Sequence, residues 1–182
     1  MRDGGPFCFG VTAMDYRLGG PADAAAVAAL FETSFVATFG HLYAAEDLAL
    51  FLGGFGAERW ATELADPALV FHVAEHDERI LGYAKAGPLT LPVEVEGTAL
   101  ELRQLYLLAD AQGSGAGQAL LDRAMATAAA RGAAAVVLSV YVDNHRARRF
   151  YERNGFKRVG RYTFMVGNHE DEDDLMVCSL VR

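Results

Sequence analysis

The chain has 182 residues, of which 52% are hydrophobic, and its 16 Lys and Arg against 24 Asp and Glu give a formal net charge of −8. This length is typical of one domain, and the negative charge disfavours nucleic acid and membranes as partners while favouring cationic small molecules. We find no sustained apolar segment at the N-terminus and no apolar run of the ~18–20 residues that a membrane helix needs. We therefore expect an irregular extension over residues 1–14, one domain over residues 15–182 and a cytoplasmic location.

Cysteine and histidine commonly form metal sites, and neither is arranged for one in this sequence. Cys8 and Cys178 lie at opposite ends of the chain, and no two of the five histidines have metal-ligand spacing. The sequence therefore predicts no metal, no disulfide framework and two reduced, structural cysteines.

The first half of the chain predicts a short strand, three helices and a hairpin. Pro21 and Asp23 are typical of a helix start, and apolar residues then recur at helical spacing until Gly40. After Asp66-Pro67 the pattern becomes that of strands, joined by the polar residues 76–79. The expected elements are a strand at 16–18, helices at 21–40, 45–52 and 57–64, and strands at 69–75 and 80–86.

The second half predicts a strand, helix, strand unit followed by one more helix and two strands. Such a unit needs a right-handed crossover and parallel pairing of its two strands, whereas hairpins pair antiparallel. We therefore expect an α+β domain with a mixed, mostly antiparallel sheet of about seven strands flanked by helices. The expected elements are strands at 100–107, 135–140, 156–164 and 175–181 and helices at 117–131 and 146–153.

A glycine-rich turn, Gln112-Gly113-Ser114-Gly115-Ala116-Gly117, lies between a predicted strand and a predicted helix. The unpaired N–H groups at a helix start and the helix dipole favour an anion there, and glycines let a pyrophosphate approach the backbone. The pattern is neither G-x-G-x-x-G nor a P-loop. From the turn alone, phosphate binding and an ordinary flexible turn remain equally open.

Further segments give this turn a family context. Gln112-x-x-Gly115-x-Gly117 matches the Q/R-x-x-G-x-G/A acetyl-CoA signature, and NHRARRFYERNGF at 144–156 resembles the second motif of the same family. The chain thus resembles the GNAT superfamily of N-acetyltransferases, and SFVATFGHLY at 34–43 and YTFMVGNHEDEDDLM at 162–176 resemble its PaiA-type polyamine N-acetyltransferases. The resemblance implies a splayed parallel strand pair that admits acetyl-CoA, and direct attack of a primary amine on the thioester in a ternary complex.

The resemblance also implies a set of site residues. Tyr151 matches the usual position of the general acid, and Glu101 matches a position where many members carry an acid or base. Asn144 either caps its helix or contacts the cofactor, and solvated helix-face residues are the simpler interpretation of Arg146 and Arg153. The cofactor-binding residues are expected to be Leu105, Tyr106, Leu107, Gln112, Gly113, Ser114, Gly115, Ala116, Gly117, Gln118 and Asn144.

For the acceptor, the resemblance places His41 and the acidic run Glu170, Asp171 and Glu172 near the entrance, and favours a small cationic polyamine as the substrate. A structural His41 and a solvated acidic hairpin loop are the alternatives. An amino acid, an aminoglycoside or a protein N-terminus remains open as the acceptor, as does a weakly catalytic acyl-CoA-binding regulatory module. Members of the family are often dimers, so a homodimer is one expectation for the assembly.

Overall fold

The computed structural model describes residues 14–180 of the chain. The extension predicted over residues 1–14 lies outside this range except for Met14, and so does Cys8. Within it, Cys178 is a free, buried thiol whose pKa is raised by burial. No cluster of metal-ligating side chains occurs among residues 14–180.

Within residues 14–180, seven strands form one open sheet and five α-helices pack on its two faces. The strands are β1 (Asp15–Leu18), β2 (Val70–His76), β3 (Arg79–Pro88), β4 (Ala99–Leu107), β5 (Ala135–Tyr141), β6 (Lys157–Val166) and β7 (His169–Ser179). The helices are α1 (Ala24–Phe39), α2 (Ala45–Gly53), α3 (Ala57–Ala65), α4 (Ala116–Ala130) and α5 (His145–Arg153).

The sheet has the order β1-β2-β3-β4-β5-β7-β6. Every neighbouring pair is antiparallel except β4 and β5, which run parallel. This arrangement confirms the predicted mixed sheet, because the chain must cross over through α4 to bring β5 beside β4 in parallel.

Two hydrophobic clusters attach the helices to the sheet. On one face, called the α1–α3 face, Phe31 and Trp60 pack with Tyr83 of β3. On the other, called the α4–α5 face, Leu120 and Tyr151 pack with β3, β4 and β5. Trp60 is fully buried, and truncating such a side chain to alanine costs about 3–5 kcal/mol.

Helix α1 lies within a long apolar segment in the N-terminal part of the chain. Pro21–Leu42 is long and apolar enough to cross a membrane by length and composition, so the expectation that no apolar segment reaches that length is wrong. Its residues Val27, Leu30, Phe31 and Phe35 are nevertheless buried against the sheet. This is the packing of a core helix, and alanines account for much of its remaining apolar character.

The last hairpin differs from the prediction. Strand β7 begins at His169 rather than at Leu175, so residues 170–174 are a strand and not a loop. The turn is confined to Gly167 and Asn168, where φ of Gly167 is +59° and a Cβ would lie 2.6 Å from the Asp47 Cα. Asp47 Oδ1 also accepts a hydrogen bond from the Asn168 N–H. Consecutive acidic residues are poor strand formers, and the tight turn and the pairing with β6 on one side and β5 on the other outweigh that preference.

Candidate active site

A cavity of about 690 Å³ opens where β4 and β5 separate. Parallel pairing joins Ala99–Glu101 to Ala135–Val137 and extends no further. The β3–β4 register then shifts between Lys85 and Ala86, opposite Arg103, and such a bulge increases local twist. Main-chain groups of β4 beyond Glu101 that face β5 are therefore left for an extended, amide-bearing ligand. Leu105, Tyr106 and Leu107, which are predicted to bind the cofactor, line this part of the cavity.

One end of the cavity is the glycine-rich turn at the start of α4. Gly113 and Gly115 have φ of +80° and +91°, and no atom lies within 4 Å of a Cβ built on either. The backbone N–H groups of Gly113, Gly115, Gly117 and Gln118 have no acceptor among the described residues. Free N–H groups, an open backbone and the helix dipole together fit a pyrophosphate.

Side chains of this segment stabilise the turn rather than fill it. Ser114 Oγ donates to the Ala111 carbonyl at 2.7 Å, and Ala116 is fully buried. The amide groups of Gln118 and Asn154 exchange two hydrogen bonds that join α4 to α5. Of the residues in the turn, Gln112, Gly113, Gly115, Gly117 and Gln118 line the cavity.

The start of α5 closes the same end. Asn144 Oδ1 accepts a hydrogen bond from the Ala147 N–H at 3.1 Å, so Asn144 caps the helix while also lining the cavity. Arg146 Nη1 donates to Gln112 Oε1 at 2.6 Å, and Arg153 lines the cavity too. Two guanidinium groups at this end are suited to phosphate.

Two of the phenols that line the cavity, Tyr151 and Tyr106, have unpaired hydroxyl groups within residues 14–180. Tyr151 on α5 is 9% exposed, and Tyr106 on β4 is half-buried. Neither hydroxyl has a hydrogen-bond partner in the described part of the chain, and burial raises both pKa values above the usual 10. Both groups are therefore protonated donors at neutral pH.

Glu101 lies where the strands begin to separate, and one of its oxygens is fully engaged. Oε2 accepts hydrogen bonds from Thr90 N, Thr90 Oγ1 and Leu91 N at 2.7, 2.7 and 3.2 Å. Oε1 lies 3.9 Å from Arg103 Nε. The carboxylate thus anchors the segment between β3 and β4. Its assignment as a catalytic base remains a prediction.

The acidic run is divided between the two faces of the sheet because side chains alternate along β7. Asp171 and Asp173 are each 6% exposed and line the cavity, whereas Glu170 and Glu172 are exposed and do not. Of the three predicted acceptor carboxylates, Asp171 alone reaches the site. The alternative of a solvated acidic loop is therefore wrong in that these residues form a strand, and solvation holds for Glu170 and Glu172 but not for Asp171.

Asp171 and Asp173 have different surroundings. Asp171 accepts a hydrogen bond of 2.5 Å from the Tyr43 hydroxyl and lies 3.4 Å from His169 Nε2. Burial raises the pKa of Asp173 to about 6, a hydrogen bond from Ser139 opposes the shift, and the charges of Asp171 and Asp174 add to it.

Sequence reasoning missed Asp173, Ser139 and Tyr43, all of them polar residues that line the cavity. A strand pattern for residues 169–179 would have placed Asp171 and Asp173 on one face, two residues apart. His41, which the resemblance favoured, lies exposed in a short 3₁₀ turn at Gly40–Leu42 and does not line the cavity.

The far side of the cavity carries a buried ion pair. Lys85 is 4% exposed and contacts Glu63, which also accepts a hydrogen bond from Arg59. Burial lowers the pKa of Lys85, and the Glu63 carboxylate opposes that shift. Next to this pair, Arg103 Nε is buried and makes no hydrogen bond within residues 14–180.

Comparisons with known proteins agree with this geometry. The sequence profile of the acetyltransferase (GNAT) family matches residues 26–156. An uncharacterized N-acetyltransferase of Mycobacterium tuberculosis is 38% identical over 160 residues, which cover 87% of this chain and 99% of that protein.

Solved structures share the fold. The PaiA N-acetyltransferase of Thermoplasma acidophilum in complex with coenzyme A superposes with a TM-score of 0.73 at 19% identity, covering 92% of this chain and 99% of that one. The ribosomal-protein-alanine N-acetyltransferase of Brucella melitensis gives 0.71 at 22% identity, covering 91% and 99%.

The splayed parallel pair, the glycine-rich turn at the start of α4 and the family match define the class: this chain belongs to the GNAT acetyltransferase family. It is an acetyl-CoA-dependent N-acetyltransferase.

Proposed function

We propose that the enzyme acetylates a primary amine of a small polycationic acceptor, most closely a polyamine, in the cytoplasm. The observation that carries this proposal is the pair Asp171 and Asp173 at the acceptor end of the cavity. No Lys or Arg among the described residues pairs with either carboxylate. Buried carboxylates without a cationic partner are costly, and a cationic ligand would offset that cost.

The residues that line the cavity also support the proposed transfer of the acetyl group. The acetyl-CoA thioester supplies the activated acetyl group, and the turn at the start of α4 and the open edge of β4 are arranged to hold its phosphates and its amide-bearing arm. Tyr151, with its free hydroxyl, is placed to donate a hydrogen bond to charge that develops on the sulfur. Thiols, with pKa near ~8.5, are stronger acids than a phenol near ~10, so a hydrogen bond is the first contribution of Tyr151 rather than complete proton transfer.

A second acceptor class rests on a different observation. Arg103 Nε is buried without a hydrogen bond in the described chain, and Arg103 lines the same cavity. A guanidinium group there suits a carboxylate, so an amino acid or a protein N-terminus would bind its amine near β7 and its carboxyl or carbonyl oxygens near Arg103. The likeness in fold to a ribosomal-protein-alanine N-acetyltransferase is compatible with this second class.

The test is acetyl-CoA-dependent release of free thiol across a panel of spermidine, spermine, putrescine, amino acids, aminoglycosides and peptides. Putrescine and n-butylamine form a matched pair, because they share a four-carbon chain and differ by one ammonium group. We expect kcat/KM to be highest for spermidine or spermine and at least about tenfold higher for putrescine than for n-butylamine, the scale of one charge-assisted contact.

Three other results would redirect the proposal. Faster turnover of a single amino acid or peptide would favour the Arg103-dependent class. Equal values for putrescine and n-butylamine would remove the need for a second cation. Tight acyl-CoA binding with no thiol release from any acceptor would favour a regulatory module.

A further inference from the structure

We propose that Asp173 is the catalytic base that removes the proton from the acceptor ammonium group, while Asp171 holds the substrate cation. This inference rests on the proposed function in requiring an acceptor amine that is protonated in solution. It assigns the two buried carboxylates of β7 to separate roles, one in chemistry and one in binding.

Position is the first argument for Asp173. Its side chain lines the cavity from the same face of β7 as Asp171. In register it lies opposite Tyr141 of β5 and Tyr162 of β6. Asp173 interacts electrostatically with Tyr106, and Tyr106 in turn interacts with Tyr151. The proposed base and the predicted acid therefore both interact electrostatically with one cavity phenol.

The charged and polar groups around Asp173 leave it free to accept a proton. The polar groups that face it from neighbouring strands are Tyr106 of β4, Ser139 and Tyr141 of β5 and Tyr162 of β6. On its own strand, it interacts with the charges of Asp171 and Asp174. None of these groups is cationic. Burial and the two acidic neighbours raise the pKa to about 6. A base with a pKa just below the working pH is mostly ionised and still strong enough to take a proton.

Asp174 does not compete for this role. It points to the α4–α5 face, where Arg148, Arg158 and Arg161 surround it, and it is 1% exposed. The neighbouring acidic residue is thus neutralised on the opposite side of the sheet. Because Asp173 and Asp174 lie on opposite faces of the sheet, these consecutive carboxylates can have different functions.

The other candidate bases are less well placed. Glu101 Oε2 already accepts three hydrogen bonds from Thr90 and Leu91. Its other oxygen, Oε1, lies 3.9 Å from Arg103 Nε and so already faces a cation. His41 is exposed and outside the cavity. Asp171 accepts from Tyr43 at 2.5 Å, which occupies one oxygen and fixes the group as an acceptor for a cation.

The substrate R–NH₃⁺ transfers one proton to the Asp173 carboxylate and becomes R–NH₂, whose lone pair forms a bond to the thioester carbonyl carbon. The carbon–sulfur bond breaks, and the electron pair leaves with sulfur. The second proton lost from nitrogen ends on the thiol, with Tyr151 donating a hydrogen bond to the sulfur. Asp173 then releases its proton to solvent, giving one amide, one thiol and one proton overall.

The experiment compares Asp173→Asn with Asp171→Asn and Glu101→Gln, using the best acceptor found in the panel at saturating acetyl-CoA. For Asp173→Asn we expect kcat at pH 7.5 to fall by about 10²–10³, the usual scale for a missing base. For Asp171→Asn we expect a rise in KM for the acceptor with a much smaller change in kcat. Circular dichroism and the Kd for acetyl-CoA verify that each variant is folded.

A pH profile separates a base from a structural residue. Wild-type kcat/KM should rise through an inflection near pH 6, and this inflection should be absent from Asp173→Asn. The ratio of wild-type to Asp173→Asn activity should shrink between pH 8 and 10, because a growing fraction of an amine with pKa ~10 is then already neutral. A structural defect would lower activity equally across this range.

Distinct outcomes overturn distinct claims. A folded Asp173→Asn variant with the wild-type profile disproves the base, as does a loss of the pH 6 inflection in Glu101→Gln instead. A best acceptor other than a polyamine disproves the proposed acceptor, and the same three variants are then compared with that acceptor. No turnover with any panel amine overturns both proposals.

Discussion

Tyr151 is one of two phenols in the cavity whose hydroxyl has no partner within residues 14–180. Tyr151→Phe removes that hydroxyl and leaves the ring to pack with Phe156 and Phe150. We expect kcat to fall by about 10²–10⁴, with the acetyl-CoA Kd changed less than about twofold. Steady-state kinetics and calorimetric titration measure the two effects.

The matched control is Tyr16→Phe, which removes a phenol from β1 that packs against Arg123 and does not line the cavity. Its kcat should stay near that of the wild type. Wild-type turnover in Tyr151→Phe would assign the stabilisation of sulfur to Tyr106 or to water.

The stability of the folded protein should depend on pH through Asp173. Its pKa is raised from 3.8 to about 6 in the folded protein, chiefly by burial. A raised pKa means that the stabilising contribution of the protonated form is complete below about pH 4 and is lost as pH rises through 6. Asp173→Asn carries no charge at this position. At pH 8 its free energy of unfolding should therefore be about 2–3 kcal/mol higher than that of the wild type.

Urea denaturation at pH 8, 6 and 4 tests this expectation. The difference between variant and wild type should shrink through pH 6 and vanish near pH 4. Glu170→Gln, an exposed neighbour on β7, should show no such trend. A difference for Asp173→Asn that is the same at all three pH values would contradict the raised pKa. More stability and less activity in one variant is the trade-off expected of a buried catalytic charge.

At the scale of elements, the turn before α4 offers a test of phosphate binding in which the added side chain does not clash with the rest of the protein. A Cβ at Gly115 would meet nothing within 4 Å, so Gly115→Asp adds mainly a negative charge and the strain of φ +91°. Like charges ~4 Å apart repel by about 4 kcal/mol at an effective dielectric constant near 20. The acetyl-CoA Kd should therefore rise by about 10² or more in calorimetric titration.

Two controls separate charge from strain. Gly115→Asn has the same shape without the charge, and asparagine tolerates positive φ. Gly132→Asp places the same residue at φ +75° in open space beyond the other end of α4. Both should retain acetyl-CoA affinity within a few fold. Equal loss in Gly115→Asn would mean that backbone strain, and not a nearby phosphate, explains the effect.

Most elements and the cofactor end could be predicted from the sequence because their signals are local. Gln112, Gly115 and Gly117 lie within one turn, and the helices and most strands begin and end within two or three residues of their predicted bounds. Strand β7 could not be predicted in the same way. Its acidic residues are stabilised by partners far along the chain, Tyr43 for Asp171 and Arg148 for Asp174. The part of the cavity that β7 forms depends on this long-range pairing, so Asp173 was missed.

The whole molecule distributes its charge in a way that the sequence only suggested. Seven Lys and Arg residues are clustered at 146–161, and three of them, Arg148, Arg158 and Arg161, pair with Asp174 on the α4–α5 face, where Arg161 also contacts Glu172. The positive charge of these three arginines is therefore neutralised within the protein. This pairing weakens any argument that residues 146–161 form a nucleic-acid surface and leaves the net charge of −8 to act on cations.

Salt dependence distinguishes this general attraction from binding by Asp171. Asp171 is 6% exposed inside the cavity, whereas Glu170 is exposed on the same strand with no ion-pair partner in the described chain. Exposed charges are screened beyond a Debye length of ~8 Å at physiological ionic strength, and buried ones are screened much less.

Asp171→Asn should raise KM for spermidine about tenfold at both low and high salt, as expected for a lost charged hydrogen bond of ~1.5 kcal/mol. Glu170→Gln should raise it slightly at low salt, and that increase should disappear as salt is added. KM for acetyl-CoA should remain constant in both variants. Equal and fully screened effects in the two variants would show that the acidic strand attracts the acceptor only from a distance and that Asp171 does not bind it.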